Sequence, residues 1–208
     1  AAREMKERVL KLIGDGEGRN VWMGTFHSVF SKILRFDGHH LGYPSNYSIY
    51  DSTDSKRLIR QIISDMQLDP KTYPFSFVAG RISMAKSSLM TANHYANDSD
   101  VQTVDEASGN PRIKDIYAAY QARLKRADAM DFDDLLFNTY LLFAGFPEVL
   151  YKYQQKFKYI MVDEYQDTNH AQYLIIKKLA ADRENICVVG DDAQSIYAFR
   201  GANISNML

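Results

Sequence analysis

The sequence predicts an α/β protein built on a parallel sheet and interrupted by a block of helices. Three observations carry that reading. Residues 157–189 run strand, helix, strand, a βαβ unit with an expected right-handed crossover. The first of these strands, Tyr159-Ile160-Met161-Val162, is uniformly apolar, as suits a parallel strand buried on both faces. Residues of about 45–127, by contrast, show helical periodicity with no alternation of strand and helix.

The elements follow in chain order. Residues 1–13 read as part of a helix, with Met5, Val9, Leu12 and Ile13 at helical spacing. Gly14-Asp15-Gly16-Glu17-Gly18 has the glycines of a phosphate loop, but its acids would repel a phosphate and it leads into a strand. A flexible turn is the better reading. Val21–Thr25 reads as a short strand, followed by a helix with Phe26, Val29, Phe30, Ile33 and Leu34 on one side. After a Gly/Pro/Ser/Asn loop, Asp51-Ser52-Thr53-Asp54 opens a helix that runs to Met66. Further helices are expected over 77–89 and 113–126, separated by a polar, exposed loop at 91–111. A helix over 131–143 opens with Asp131-Phe132-Asp133-Asp134. Acids in a first turn complement the helix dipole, although the same three could form a metal cluster.

At 208 residues the chain can hold one substantial core together with a smaller inserted one. Its 46% apolar content is that of a globular protein. No apolar run approaches 18 residues and no signal-peptide pattern is present, so neither a membrane span nor secretion is indicated. The single cysteine, Cys187, cannot form an internal disulfide and reads as a small buried hydrophobe; a cytoplasmic location fits. The net charge of −1 gives no support to nucleic-acid binding, which would have to rest on local Lys and Arg, aromatic faces and backbone donors.

The chemistry concentrates where the apolar strand meets Asp163-Glu164. Ligands of open α/β sheets sit just beyond such strand ends. Two carboxylates there can hold Mg²⁺ and orient a water, or simply end a strand. The continuation Tyr165-Gln166-Asp167-Thr168 is more specific. So is the second segment, Ile186-Cys187-Val188-Val189-Gly190-Asp191-Asp192-Ala193-Gln194-Ser195-Ile196-Tyr197-Ala198-Phe199-Arg200-Gly201-Ala202. Together these segments resemble motifs II and III of the superfamily 1 DNA helicases of the UvrD/Rep/PcrA type. Gly24-Thr25-Phe26-His27-Ser28 resembles motif Ib, and Ala1-Ala2-Arg3-Glu4-Met5 the back half of motif Ia.

The resemblance implies a partial RecA-like P-loop NTPase core with an inserted all-helical subdomain. Residues 1–44 and 128–208 would belong to motor domain 1A, and 45–127 to the helical insertion 1B. It implies ATP and Mg²⁺ as cofactors, with Asp163 on the metal and Glu164 activating the attacking water. Gln166 and Asp167 would support the site, and Gln194 would sense the γ-phosphate and link it to the DNA side. Thr25, Phe26 and His27 would lie near the DNA backbone. Tyr197 and Phe199 would face single-stranded DNA, and Arg200 would contact phosphate or tie the loop to the site. Phe199 stands where the family usually carries Trp, and Ala198 where a larger residue is common. Outside the resemblance these residues have plainer readings: Tyr197 and Phe199 as core aromatics, His27 as a helix-start residue and Gln194 as a loop-capping amide.

No glycine in the sequence is followed by lysine, so the Gly-Lys-Ser/Thr of a Walker A loop is missing, as are motifs IV to VI. The expectation is a piece of a longer helicase that moves 3′ to 5′ on single-stranded DNA and unwinds duplex at junctions. Its partners would include the N-terminal segment and second motor domain of the same protein, and the piece alone would not hydrolyse ATP at a useful rate. Two other classes stay open. One is a nuclease with two metals held by Asp163, Glu164 and the acids of 131–134. The other is a non-catalytic module whose binding to single strands or a partner weakens steeply with salt.

Overall fold

The computed structural model describes residues 2–18 and 21–191. Helix α1 (Ala2–Gly18) continues through the glycine-rich stretch expected to be a turn, and kinks at Gly14 (φ 79°, ψ 158°). That positive φ is strained for any side chain, which explains a glycine at the kink. Residues 21–25 form no strand; they lead irregularly, through extended Thr25, into α2 (Phe26–Asp37).

The first hydrophobic core gathers α2, α8 (Phe132–Gly145), α9 (Pro147–Lys156) and α10 (His170–Ala180). Ile33, Leu34, Leu142 and Ile175 are completely buried there. Each such side chain contributes about 1.5–3 kcal/mol by leaving water. The buried carboxylate of Asp37 accepts from Lys152 Nζ at 2.9 Å and Tyr153 Oη at 2.6 Å, which pins α9 to the end of α2.

A second core joins α3 (Ser52–Asp65), α4 (Phe75–Ser87) and α7 (Ile113–Arg126). The apolar set at helical spacing, Ile59, Ile62, Ile113, Ile116, Tyr117 and Leu124, faces inward as the periodicity requires. Asp51 caps α3 through a reciprocal capping box with Asp54. The stretch 91–111, expected as an exposed loop, instead forms α5 (Ala92–Asn97) and α6 (Ser99–Ala107). Polar composition concealed them because their anchor is itself polar. The Tyr95 hydroxyl donates to buried Asp105 at 2.6 Å, and Arg81 pairs with the same carboxylate at 2.6 Å.

Strands β1 (Ser48–Tyr50) and β2 (Ala129–Asp131) pair in parallel where the helical block leaves and rejoins the chain, with Ser48 opposite Ala129. Successive residues of β2 point to opposite sides. Ala129 packs into the second core and Met130 into the first. Asp131 then caps α8 in a capping box with Asp134, so these acids are occupied at the helix start.

Strands β3 (Ile160–Val162) and β4 (Ile186–Val188) pair in parallel across α10, in the expected strand–helix–strand order. Two-sided burial is not found. Val162 is buried against Ile176 of α10, whereas Met161 is 80% exposed and Cys187, expected inside, is exposed. With period-two alternation and one covering helix, only one face of this two-stranded sheet is covered among the described residues.

Candidate functional site

At the carboxyl end of β3 the chain turns sharply, because Glu164 adopts the left-handed conformation (φ 52°, ψ 43°). For a residue with a Cβ this costs on the order of 1–2 kcal/mol. A short 3-10 turn, Tyr165–Asp167, follows and is fastened to the end of β4. Val189 N donates to Val162 O at 2.8 Å and Tyr165 N to Val189 O at 2.9 Å. Gln166, almost wholly buried, closes the arrangement: its Nε2 donates to Glu164 Oε2 at 2.6 Å, and its Oε1 accepts from Asp191 N at 3.1 Å. One amide thus orients the Glu164 carboxylate and ties it to the loop after the neighbouring strand.

Asp163 and Glu164 are both exposed. Asp163 Oδ1 accepts from Glu164 N at 3.0 Å, so this exposed carboxylate keeps a second oxygen with capacity for a ligand. In the same turn, buried Asp167 Oδ1 has no hydrogen-bond partner. A buried acceptor left unpaired costs free energy unless a cation, donor or water meets it. Hard carboxylate oxygens at an open strand end suit Mg²⁺, which takes one or two carboxylates and draws its remaining ligands from water and phosphate.

Of the residues that resemble motif Ib, Phe26 reaches this turn, while Thr25 and His27 make other contacts. Thr25 caps α2, accepting from Ser28 N at 3.3 Å. A side chain on Gly24 would meet Ser28 Oγ at 2.3 Å, so the bare backbone there lets the cap close. The Phe26 ring is half-buried and packs with Val162, Tyr165 and Ile176, joining the start of α2 to the end of β3. His27 turns toward Phe132, edge to face at 5.7 Å between ring centroids. Burial holds its imidazole pKa below the ordinary histidine range. His27 is therefore expected to be neutral at neutral pH, and an NMR titration that found it charged near pH 7 would contradict this. Gln194, Tyr197, Phe199 and Arg200 lie outside the described residues.

Sequence reasoning did not single out Lys86, the most completely enclosed charged side chain among the described residues. Its side chain is 0% exposed, with Nζ 2.6 Å from Asp131 and 2.8 Å from Asp134. Burial alone would lower its pKa, but the Asp134 and Asp131 carboxylates outweigh that and raise it. Lys86 sits in a helix with little amphipathic contrast, so no sequence pattern marks it.

A parallel strand thus delivers two carboxylates, bound by a glutamine to the next strand's loop, at the sheet end where ligands of α/β domains sit. The family described as UvrD/REP helicase N-terminal domain matches residues 1–208, and the chain belongs to this family, the UvrD/Rep/PcrA-type superfamily 1 helicases. Among curated relatives it is 46% identical to the ATP-dependent DNA helicase PcrA of Staphylococcus aureus over 208 residues. It is 45% identical to the protein of that name from Bacillus subtilis and 43% to that from Leuconostoc citreum, again over 208 residues. These alignments cover 100% of this chain but only 27% or 28% of each relative. No helix of the described residues is long and apolar enough to cross a membrane.

Proposed function

We propose that this chain is the part of an ATP-dependent DNA helicase that holds the catalytic carboxylates. The observation that carries this reading is the clasp Glu164–Gln166–Asp191 at the end of β3. Phosphoryl transfer asks the protein for positioned charge and a placed water more than for covalent chemistry. Glu164 orients and deprotonates the attacking water, and Asp163 would hold Mg²⁺, whose charge when bound would offset that of the transferring phosphoryl group. Gln166 sets the Glu164 rotamer. Asp167 supports the turn, and its unpaired buried oxygen is available to a ligand of the site. Gln194 reports the nucleotide state to Tyr197, Phe199 and Arg200, which hold single-stranded DNA by stacking and phosphate contact. Thr25 and His27 line the DNA backbone path, and Phe26 couples that path to β3.

The two cores support a division into a partial RecA-like motor (residues 1–44 and 128–208) and a helical insertion (45–127), since the first core draws mainly on the former and the second on the latter, with Tyr47 and Ala129 crossing over where the β1–β2 pair joins them. The whole protein would move 3′ to 5′ on single-stranded DNA in the cytoplasm and unwind duplex junctions, with a phosphate loop and opposing arginines supplied by its other segments. The nuclease reading loses its acids to structure: Asp131 and Asp134 cap α8 and bind Lys86. Among the described residues no group of three or more His, Cys, Asp or Glu is placed to share a metal. The decisive test compares DNA-stimulated ATP hydrolysis by this chain and by a protein extended to the length of its relatives. Turnover in the extended protein alone is expected. Turnover by the 208-residue chain, or by neither, contradicts the proposal.

A further inference from the structure

A second surface lies at the other end of the same strand. Lys156 and Phe157 precede β3 whereas Asp163 follows it, a span of up to ~20 Å at the rise of an extended chain. Trp22, the only tryptophan in the sequence, is half-buried there. Its ring meets Phe157 edge-on at 5.3 Å and Phe36 at 6.4 Å between centroids, and Phe36 is 58% exposed. Lys32 Nζ lies 4.0 Å and Lys156 Nζ 4.7 Å from the Trp22 centroid.

Two ammoniums over one ring are within about 9 Å of each other, less than or comparable to a Debye length in physiological salt. Neither has an ion-pair partner among the described residues. The nearest acid on α2, Asp37, is buried and already satisfied by Lys152 and Tyr153. Cation–π attraction holds the two charges in place without cancelling them. Exposed Lys158 adds a third cation next to Phe157. The result is an aromatic floor with a fixed positive rim, in a chain whose net charge is −1.

We infer that Trp22, Phe36, Lys32 and Lys156 form a docking surface for an acidic peptide segment of a partner protein, carboxylates meeting the lysines and an apolar side chain resting on Phe36. Charge complementarity selects an acidic guest, and tryptophan with an exposed aromatic neighbour is the composition of a protein-binding anchor. A nucleic-acid strand fits less well. The Trp22 ring is packed by Phe36 and Phe157 and overlain by ammoniums, so it offers no open platform for a base.

The sole tryptophan provides the readout. A synthetic peptide of alternating Glu and Asp around one Phe, titrated into the 208-residue chain, should change Trp22 emission saturably and less so as salt rises. Replacing Lys32→Glu together with Lys156→Glu, both exposed, should weaken binding at least about tenfold with the circular-dichroism spectrum unchanged. Phe36→Ala should weaken it without altering the salt dependence. Absence of saturation up to on the order of 1 mM peptide overturns the inference. An equal response to a thymidine oligonucleotide of matched charge overturns it in favour of nucleic acid. An emission change that follows chain concentration without peptide overturns it in favour of a second copy of this chain.

Discussion

Lys86→Met is expected to destabilise the chain by about 3–5 kcal/mol near neutral pH, the usual consequence of leaving a buried charge without its counter-ion. Lys86 comes from α4, and its two partners, Asp131 and Asp134, belong to the β2–α8 corner. Both carboxylates have further duties. Asp131 Oδ1 accepts from Asp134 N at 2.8 Å, and its Oδ2 accepts from the Tyr120 hydroxyl at 2.9 Å. Asp134 Oδ2 accepts from Asp131 N at 3.1 Å, and its Oδ1 from Gln121 at 3.0 Å. Removing the ammonium leaves two carboxylates enclosed together with only neutral donors. The pH dependence has a definite sign. Burial and the neighbouring Asp131, against the pull of Lys86, push the Asp134 pKa up to about 6. A folded pKa above the unfolded value of about 4 means that the folded state holds this proton more tightly, so its contribution is complete below about pH 4 and lost as pH rises through 6. Asp131 runs the other way: despite burial, Lys86 holds its pKa low, so its contribution is present above the unfolded value and lost as pH falls through the folded one. Without Lys86 both carboxylates hold protons more tightly. The cost of Lys86→Met should therefore be smaller near pH 5 than near pH 7.5. Urea denaturation at the two pH values measures it, and a cost below about 1 kcal/mol, or one larger at the lower pH, would count against this account.

Glu164→Gln in a protein extended to the length of its relatives should lower kcat for ATP hydrolysis by about 10²–10⁴-fold, the range for loss of a positioned general base. The substitution leaves an oxygen able to accept from Gln166, so the clasp to Asp191 persists and only the proposed basic function goes. Nucleotide and single-stranded-DNA affinities should stay near those of the parent, so kcat falls without a matching rise in KM. Steady-state hydrolysis with saturating oligonucleotide decides the matter. A variant within tenfold of the parent would remove Glu164 from its assigned role.

The parts legible in the sequence were those set by local pattern. The apolar run ending in Asp163-Glu164 located β3 and the candidate site, Asp51 marked the start of α3 by capping chemistry, and the acids of 131–134 marked that of α8 by their complement to the helix dipole. The elements that escaped depend on distant partners. β1 and β2 are three residues each, too short to show a period, and they exist because they pair across the whole helical block. α5 and α6 hang on the contacts of Asp105 with Tyr95 and Arg81, which no local composition announces. Val21–Thr25 has strand-like residues but no ladder partner among the described residues, so it stays irregular. Cys187 looked buried because its strand is apolar, and it is exposed because only one face of that sheet is covered. Motif resemblance marked Gln166 as a supporting residue, but its two-sided grip on Glu164 and Asp191 needed coordinates.

The pairing of Ser48 with Ala129 has a consequence for how this architecture tolerates change. The two ends of the helical block leave and enter side by side, at the ~5 Å spacing of paired strands. To the rest of the chain the block is thus a closed loop, whatever its internal size. Loop-closure entropy grows only logarithmically, so doubling its length costs about 0.6 kcal/mol. The block can be enlarged, trimmed or exchanged with little effect on the carboxylate turn, provided the graft keeps the β1–β2 pair and a cation to answer Asp131 and Asp134.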